Sequence, residues 1–226
     1  MLKLPTISEM PRAAVCDASV VLERIPFEPP SPAALRGTRI HAWIAAQLRG
    51  WPMPDIGRTK VEHIDMVALR AYLGDGDIKC EAAFSFDGEV ATFLGENIGR
   101  NYPAGMLCGA ADIMVGLKVV DIKTGSFPVP SPVDNWQLST LAALSGCTTG
   151  VITTLARDGS WTFDPHTWSV ADLAAIRERL RGMMSRWRDA HEMDASGWGV
   201  TRTPNRECIF CKSICEHARQ RTEVAA

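Results

Sequence analysis

The chain has 226 residues, enough for one large domain or a domain with a small appendage. Its 46% hydrophobic and 22% charged residues have the balance of a soluble globular protein. No apolar run approaches the roughly 20 residues that span a bilayer, and MLKLPTISEM has no apolar stretch of the secretion-signal kind, so a cytoplasmic protein without a membrane span is expected. The net charge of −2 advertises no nucleic-acid partner, but a local basic track need not show in the total. Between Arg177 and Arg221 ten Lys/Arg face six Asp/Glu, readable as such a track or as a solvated helix face.

In chain order, IPFEPPSP (25–32) is a proline-rich connector. A helix is predicted after it, with Ser31 as N-cap, Pro32 at the first helical position and Gly50 as its end. Gly37 inside that helix costs stability and so points to a close approach by another element. Residues 51–78 carry no clear pattern beyond an amphipathic patch, HIDMVALRAYL. Three hairpins are predicted next, around Asp87-Gly88, Gly116-Leu117 and Asp158-Gly159. A helix over 131–146, capped by Gly146, separates the second from the third. A long helix over about 170–192 places Val170, Leu173, Ile176, Leu180, Met183 and Trp187 on one core-facing stripe, with Ser169 and Asp172 as its capping pair. The order of helix, strands, helix, strands and helix, closed by a cysteine-rich tail, gives an α/β fold with a mixed central sheet flanked by helices.

The chemistry concentrates in GAADIMVGLKVVDIKTG (109–125). Alternation along the second strand puts Val119, Asp121 and Lys123 on one face. Charges at the centre of a strand are expensive unless paired or bound to metal. A short hairpin brings Asp112 close to Asp121, and two such carboxylates form a hard-oxygen pocket for Mg²⁺ or Mn²⁺. A lysine beside them can orient water or stabilise charge on a phosphate. Taken alone, the pair also reads as a cross-strand salt bridge.

Gly109-Ala110-Ala111-Asp112 followed by Asp121-Ile122-Lys123 resembles the active-site motif of the PD-(D/E)xK nuclease superfamily, with Ala111 in place of the usual proline. Gly37-Thr38-Arg39-Ile40-His41 resembles the Gly-x-x-x-His element of its RecB-like branch, and Asn135-Trp136-Gln137-Leu138 the downstream Gln-Leu element. The resemblance implies a restriction-endonuclease-like core. It makes His41, Asp112 and Asp121 metal ligands and Lys123 the residue that assists water, and it puts Gln137 against the substrate backbone. Standing alone, His41 reads as a core or capping histidine and Gln137 as an exposed helical residue. Glu81 is a weaker auxiliary acid, more simply a surface residue.

Seven cysteines are many for such a chain, and Cys208, Cys211 and Cys215 fall within eight residues, which in a reducing compartment points to metal. Cys16, Cys80, Cys108, Cys147 and His217 are candidates for a fourth ligand of Zn²⁺ or an iron–sulfur cluster. RecB-like nucleases such as AddB and certain CRISPR-associated enzymes carry a 4Fe–4S cluster on one early and three late cysteines. By that resemblance Cys16 joins Cys208, Cys211 and Cys215. The three residues between Cys211 and Cys215 are a shorter gap than is usual there, which keeps Zn²⁺ as the alternative. The three other cysteines read as small buried residues.

The expectation is a single RecB-like domain over 1–226, with 31–165 as catalytic core and 1–30 and 166–226 as the helical and cluster portion. Its function is Mg²⁺- or Mn²⁺-dependent DNA hydrolysis, as an exonuclease on single strands or duplex ends. Recombination, repair, phage replication and CRISPR adaptation are the settings that the resemblance offers, with a recombination or replication protein as a possible partner. The alternatives are a non-catalytic DNA-binding module that retains the nuclease fold and a zinc-stabilised interaction module.

Overall fold

A computed structural model of the chain describes residues 4–22, 30–99, 101–125, 128–196, 199–203 and 215. The N-terminal segment, unassigned by sequence pattern, forms a 3₁₀ turn (Ile7–Glu9) and two short helices, α1 (Met10–Ala13) and α2 (Ala18–Val21). Helix α3 (Pro32–Arg49) starts where the Ser31 side chain accepts the Ala34 amide and ends on left-handed Gly50. The amphipathic patch forms α4 (Met66–Leu73), capped by Asp65.

The three predicted hairpins form as β1 (Ile78–Phe86) with β2 (Ala91–Glu96), β3 (Leu107–Val115) with β4 (Lys118–Lys123), and β5 (Thr149–Leu155) with β6 (Trp161–Thr167). Together they make one mixed sheet in the order β2-β1-β3-β4-β5-β6. Only β4 and β5 run parallel, and a parallel pair needs a crossover. Helix α5 (Trp136–Ser145) supplies it. It begins five residues later than the predicted 131, because Pro132–Asp134 close a 3₁₀ turn and the Asn135 side chain captures the Leu138 amide as the true cap. Helix α6 (Val170–Ala195) carries the predicted Ser169–Asp172 capping box. Leu173, Leu180, Met183 and Trp187 are buried as expected, whereas Val170 is 78% exposed because it is the first residue of the helix and lies beyond the edge of the core. No helix among the described residues is long and apolar enough to cross a membrane.

The sheet separates two cores. On one side Ile40, Ile44 and Leu48 of α3 and Leu69 of α4 cover Val120, Ile122 and Val151. On the other, α5, α6 and the N-terminal segment cover Val119, Phe84 and Ile152. Trp187 of α6 donates its indole N–H to the Ala13 carbonyl at 3.1 Å and so ties the N-terminal segment down.

Strict alternation fails at one place. Ile78 and Cys80 of β1 join the α3-side core, whereas Ala82, Phe84 and Phe86, of the same parity, join the other. On β3, Leu107 and Ala111 belong to the α5 side and Ile113 and Val115 to the α3 side. Both strands change faces between the register pairs Ala82–Ala111 and Cys80–Ile113. The residues between are Glu81 and Asp112.

Gly109 has a packing role. A Cβ on it would lie 2.6 Å from Cβ of Ile7. Gly109→Ala is therefore expected to lower stability by about 1–3 kcal/mol in urea unfolding. Combined with Ile7→Gly, which removes that Cβ, it should cost less than the two single changes added, since the clash is gone. Strict additivity in that cycle would show that Gly109 is needed for something other than room.

Candidate metal centre and its cleft

Glu81 is one of two non-glycine residues with a left-handed backbone among the described residues, at φ 50; the other is Asn97, at φ 51. They are joined, because the Asn97 amide donates to the Glu81 carbonyl at 3.1 Å. Such conformations are costly for side chains larger than glycine and persist where surrounding structure over-determines them. Here Glu96 is the clamp. Its Oε1 accepts the Cys80 amide at 2.8 Å and its Oε2 binds Arg49 of α3 at 3.0 Å. The backbone twist at Glu81 turns an acid from a mostly apolar strand into a cleft of about 930 Å³, which Thr38, His41, Glu96, Asn97 and Asp112 also line.

Asp112 reaches the same cleft from β3. The β3–β4 ladder stops at the pair Ile113–Val120. One residue further the Asp112 side chain replaces the missing backbone partner, its Oδ2 accepting the Ile122 amide at 2.6 Å. Its Oδ1 lies 3.1 Å from Nδ1 of His41. Helix α3 comes close enough for this contact because Gly37 faces Thr124: a Cβ there would be 3.0 Å from the Thr124 hydroxyl. His41, Glu81 and Asp112 each offer a ligand atom, all within 4.8 Å of one another.

Asp121 continues the register opposite Asp112 but stays outside this trio. It is 3% exposed, and its Oδ2 pairs with Nζ of Lys123 at 2.7 Å without a well-aligned hydrogen bond. The expected proximity of the two acids appears in their charges. Burial pushes Asp121 up to about 6, Lys123 opposes this, and the Asp112 carboxylate adds to it. Burial likewise pushes Glu81 up to about 7, with Asp112 adding and His41 opposing. Burial works against charge on His41, but the Asp112 carboxylate and its hydrogen bond, with Glu81 and Asp121 behind them, outweigh it and raise the imidazole pKa. Asp112 is held below its usual range, because His41 and the Ile122 amide overcome its own burial.

Sequence reasoning therefore placed His41, Asp112, Asp121 and Lys123 in one neighbourhood and undervalued Glu81. The signal was a glutamate amid Cys80-Glu81-Ala82-Ala83-Phe84, a strand too apolar to leave a carboxylate unpartnered. Gln137, on the first turn of α5, is half-buried, makes no hydrogen bond among the described residues and does not line the cleft. Cys208 and Cys211 lie outside the described residues. Cys16 and Cys215 are free and half-buried. Cys80, Cys108 and Cys147 are buried free thiols, pushed above their ordinary pKa by that burial. The basic stretch of α6 is spent on structure. Arg177, Arg181 and Arg188 donate to the carbonyls of Ala143, Gly88 and Asp87, Arg186 pairs with Asp17, and Arg179 lies over the Trp136 ring.

No family model and no curated protein matches the chain. Among solved structures it is similar to SSO0001, with 18% identity over 67% of this chain and 66% of that one, just under two thirds of its length, and a TM-score of 0.39. It is also similar to an alkaline exonuclease, LHK-Exo, from Laribacter hongkongensis, with 15% identity over 87% of this chain and 94% of that one and a TM-score of 0.43. At this level neither likeness assigns a role to any residue.

The site makes stability depend on pH. Glu81, Asp121 and His41 all bind their protons more tightly folded than unfolded, so the stability this brings is complete below the unfolded values and is lost as pH rises through the folded ones. Asp112 acts in the opposite sense, and only on the acid side. The melting temperature of the metal-free protein should fall from about pH 5 to about pH 8, and Glu81→Gln should make the fall shallower. A wild-type profile that is flat or rises across that window would show that the acids are not buried as described.

Proposed function

We propose that this chain is a divalent-metal-dependent deoxyribonuclease of the PD-(D/E)xK superfamily, RecB-like branch, acting as an exonuclease on single strands or duplex ends in recombination, repair, phage replication or CRISPR adaptation. The observation that carries the reading is the meeting of His41, Glu81 and Asp112, with ligand atoms within 4.8 Å, beside the pair of buried Asp121 and half-exposed Lys123.

The donor set fits a cation. Two carboxylates and an imidazole suit Mn²⁺, and Mg²⁺ with more of its own water. The raised proton affinity of His41 has the same origin, because three acids surround it and one positive charge is wanted there. His41, Glu81 and Asp112 would hold the ion, and Asp121 would join them by sharing its carboxylate between the ion and Lys123. When bound, the cation supplies positive charge against the phosphate oxygens and makes water a stronger nucleophile near neutral pH. Lys123, with 28% of its side chain exposed, donates a hydrogen bond to the attacking water and orients its lone pair toward phosphorus. Gln137, on the first turn of α5 and without a hydrogen bond among the described residues, would steady the substrate strand from outside the cleft.

End-labelled single- and double-stranded DNA with Mn²⁺ tests this. Lys123→Ala should lower the cleavage rate by about 10²–10³-fold while Mn²⁺ binding, followed by calorimetry, survives. Asp112→Ala should lose both. Cleavage that persists in Asp112→Ala sinks the proposal, and Mn²⁺ binding with no cleavage by wild type leaves a DNA-binding module on the same scaffold.

The same reading gives Cys16, Cys208, Cys211 and Cys215 a structural 4Fe–4S cluster, tying the first residues to the last and closing a long loop. Anaerobically purified protein should show broad visible absorption and contain iron, and Cys16→Ser should lose both and melt earlier. Colourless protein that carries zinc instead would replace the cluster with a zinc staple.

A further inference from the structure

A second cleft, of about 570 Å³, opens on the other flank of α3. Arg36, Arg39, Arg58, Lys60, His63 and Arg157 line it, and no carboxylate does. Its walls come from three separate places: the first turns of α3, the loop at 58–63 and the β5–β6 turn. These are fastened together. The Gly159 carbonyl accepts the Asp65 amide at 3.0 Å, Trp161 donates its indole N–H to the Asp65 carbonyl at 2.8 Å, and the Arg39 guanidinium lies flush on Gly57.

Elsewhere this chain gives its arginines partners: Glu9 for Arg12, Glu96 for Arg49, Glu178 for Arg181 and Asp17 for Arg186. None of the five Arg and Lys residues of this cleft forms an ion pair among the described residues. The nearby acids are occupied: Glu62 accepts the Val61 amide and Asp158 binds the amide and hydroxyl of Ser160. Their charge reaches His63, and in the case of Glu62 Lys60, but leaves the arginines unmatched. Like charges held together without counter-charge cost stability, so a persistent external anion is the physical reason for such a cluster. Arg36 also donates to the carbonyl of Thr124 at 3.5 Å, one residue past Lys123. The cleft thus adjoins the end of β4 that carries Asp121 and Lys123.

We infer that this cleft binds the phosphodiester backbone of a nucleic-acid strand next to the phosphate that the metal centre would cleave, with α3 as the ridge between the two. The inference rests on the nuclease reading for its substrate, but its test is a binding measurement. Arg58, Lys60 and Arg157 are exposed and can be removed with least risk to the fold; Arg39, packed on Gly57, is left in place. Fluorescence anisotropy of a labelled single-stranded oligonucleotide in Ca²⁺, with its integrity checked on a gel, compares the triple variant Arg58→Ala, Lys60→Ala, Arg157→Ala with wild type. The expected result is an affinity lower by about tenfold or more and a salt slope reduced by about 2, with the melting temperature and Mn²⁺ isotherm retained. A charge-matched variant of α6 (Arg181→Ala, Arg186→Ala, Arg188→Ala) should change DNA affinity little. Equal affinity of cleft variant and wild type overturns the inference. So does equal loss in both variants, which would mean bulk charge, and so does displacement of the strand by pyrophosphate at equal phosphate concentration, which would mean a small-anion site. Cleavage by wild type with no effect of the cleft variant leaves the nuclease reading standing alone. Binding through the cleft without cleavage leaves this inference standing without it. A wild type that neither binds nor cleaves overturns both.

Discussion

The hydrogen bond from the Ile122 amide to the Asp112 carboxylate sets the geometry on which the candidate site depends. In an uninterrupted antiparallel ladder that amide would find a backbone carbonyl across the strand, and Asp112 and Asp121 would stand side by side as a directly opposed pair of like charges. By taking the amide with its side chain, Asp112 lets β3 and β4 part while leaving no buried donor unsatisfied. The same bond helps hold the Asp112 pKa low, so that its charge persists in the interior, and His41 completes the neutralisation from α3. The two acids then take different partners, His41 for one and Lys123 for the other, each through a contact of 3.1 Å or less. Neither pairing fills all the lone pairs of its carboxylate. The arrangement is stable without an ion and still offers oxygens to one.

Helix α3 delivers the imidazole, and its placement is over-determined. Ser31 and Gly50 fix its two ends. Gly37 lets it descend onto Thr124, and Arg49 in its last turn grips Glu96, whose other oxygen holds β1 at the amide before Glu81. The strained backbone at Glu81 is thus held, through Glu96, from the last turn of one rigid element. A helix anchored at both ends keeps His41 from drifting by the ångström or so that matters in a metal site. The same rigidity lets the opposite flank of α3, through Arg36 and Arg39, form a wall of the basic cleft.

Much of this was legible in the sequence for local reasons. Capping residues, glycines at turns and strict alternation specify short elements with little outside help, so Ser31, Gly50, Asp87-Gly88 and the Ser169–Asp172 box read correctly. So did the neighbourhood of His41, Asp112, Asp121 and Lys123, because charged residues at the centre of strands have few other uses. What could not be read depends on tertiary context. Helix α5 starts at Trp136 and not at 131, because Pro132–Asp134 close a 3₁₀ turn and the Asn135 side chain takes the cap. Val170 kept the helical period yet fell off the edge of the core. Glu81 looked like a surface residue because a left-handed twist, invisible to alternation, turns it inward. Residues 51–65 carried no periodic signal because they form a loop, held by Val61 and Ile64 in the α3-side core and by Asp65 bonded to the β5–β6 hairpin.

Charge shows the same lesson at the scale of the molecule. A total of −2 and a basic run at 177–221 both suggest where cations are, and neither says which are free. On α6 the arginines are consumed as long donors that reach the carbonyls of Ala143, Gly88 and Asp87, tying the helix to α5 and to the β1–β2 turn. Around α3 a smaller number, drawn from parts of the chain that are remote in sequence, converge with no acid among them. Field strength at a surface follows unpaired charge held within a Debye length, not the sum over the chain. The acids gathered around His41 and the unpaired cations of the basic cleft, set on two flanks of one helix, therefore give a near-neutral protein two local fields of opposite sign. A polyanion meeting that surface would be drawn to one flank and repelled from the other until a cation fills it, so ion and strand should favour each other's binding.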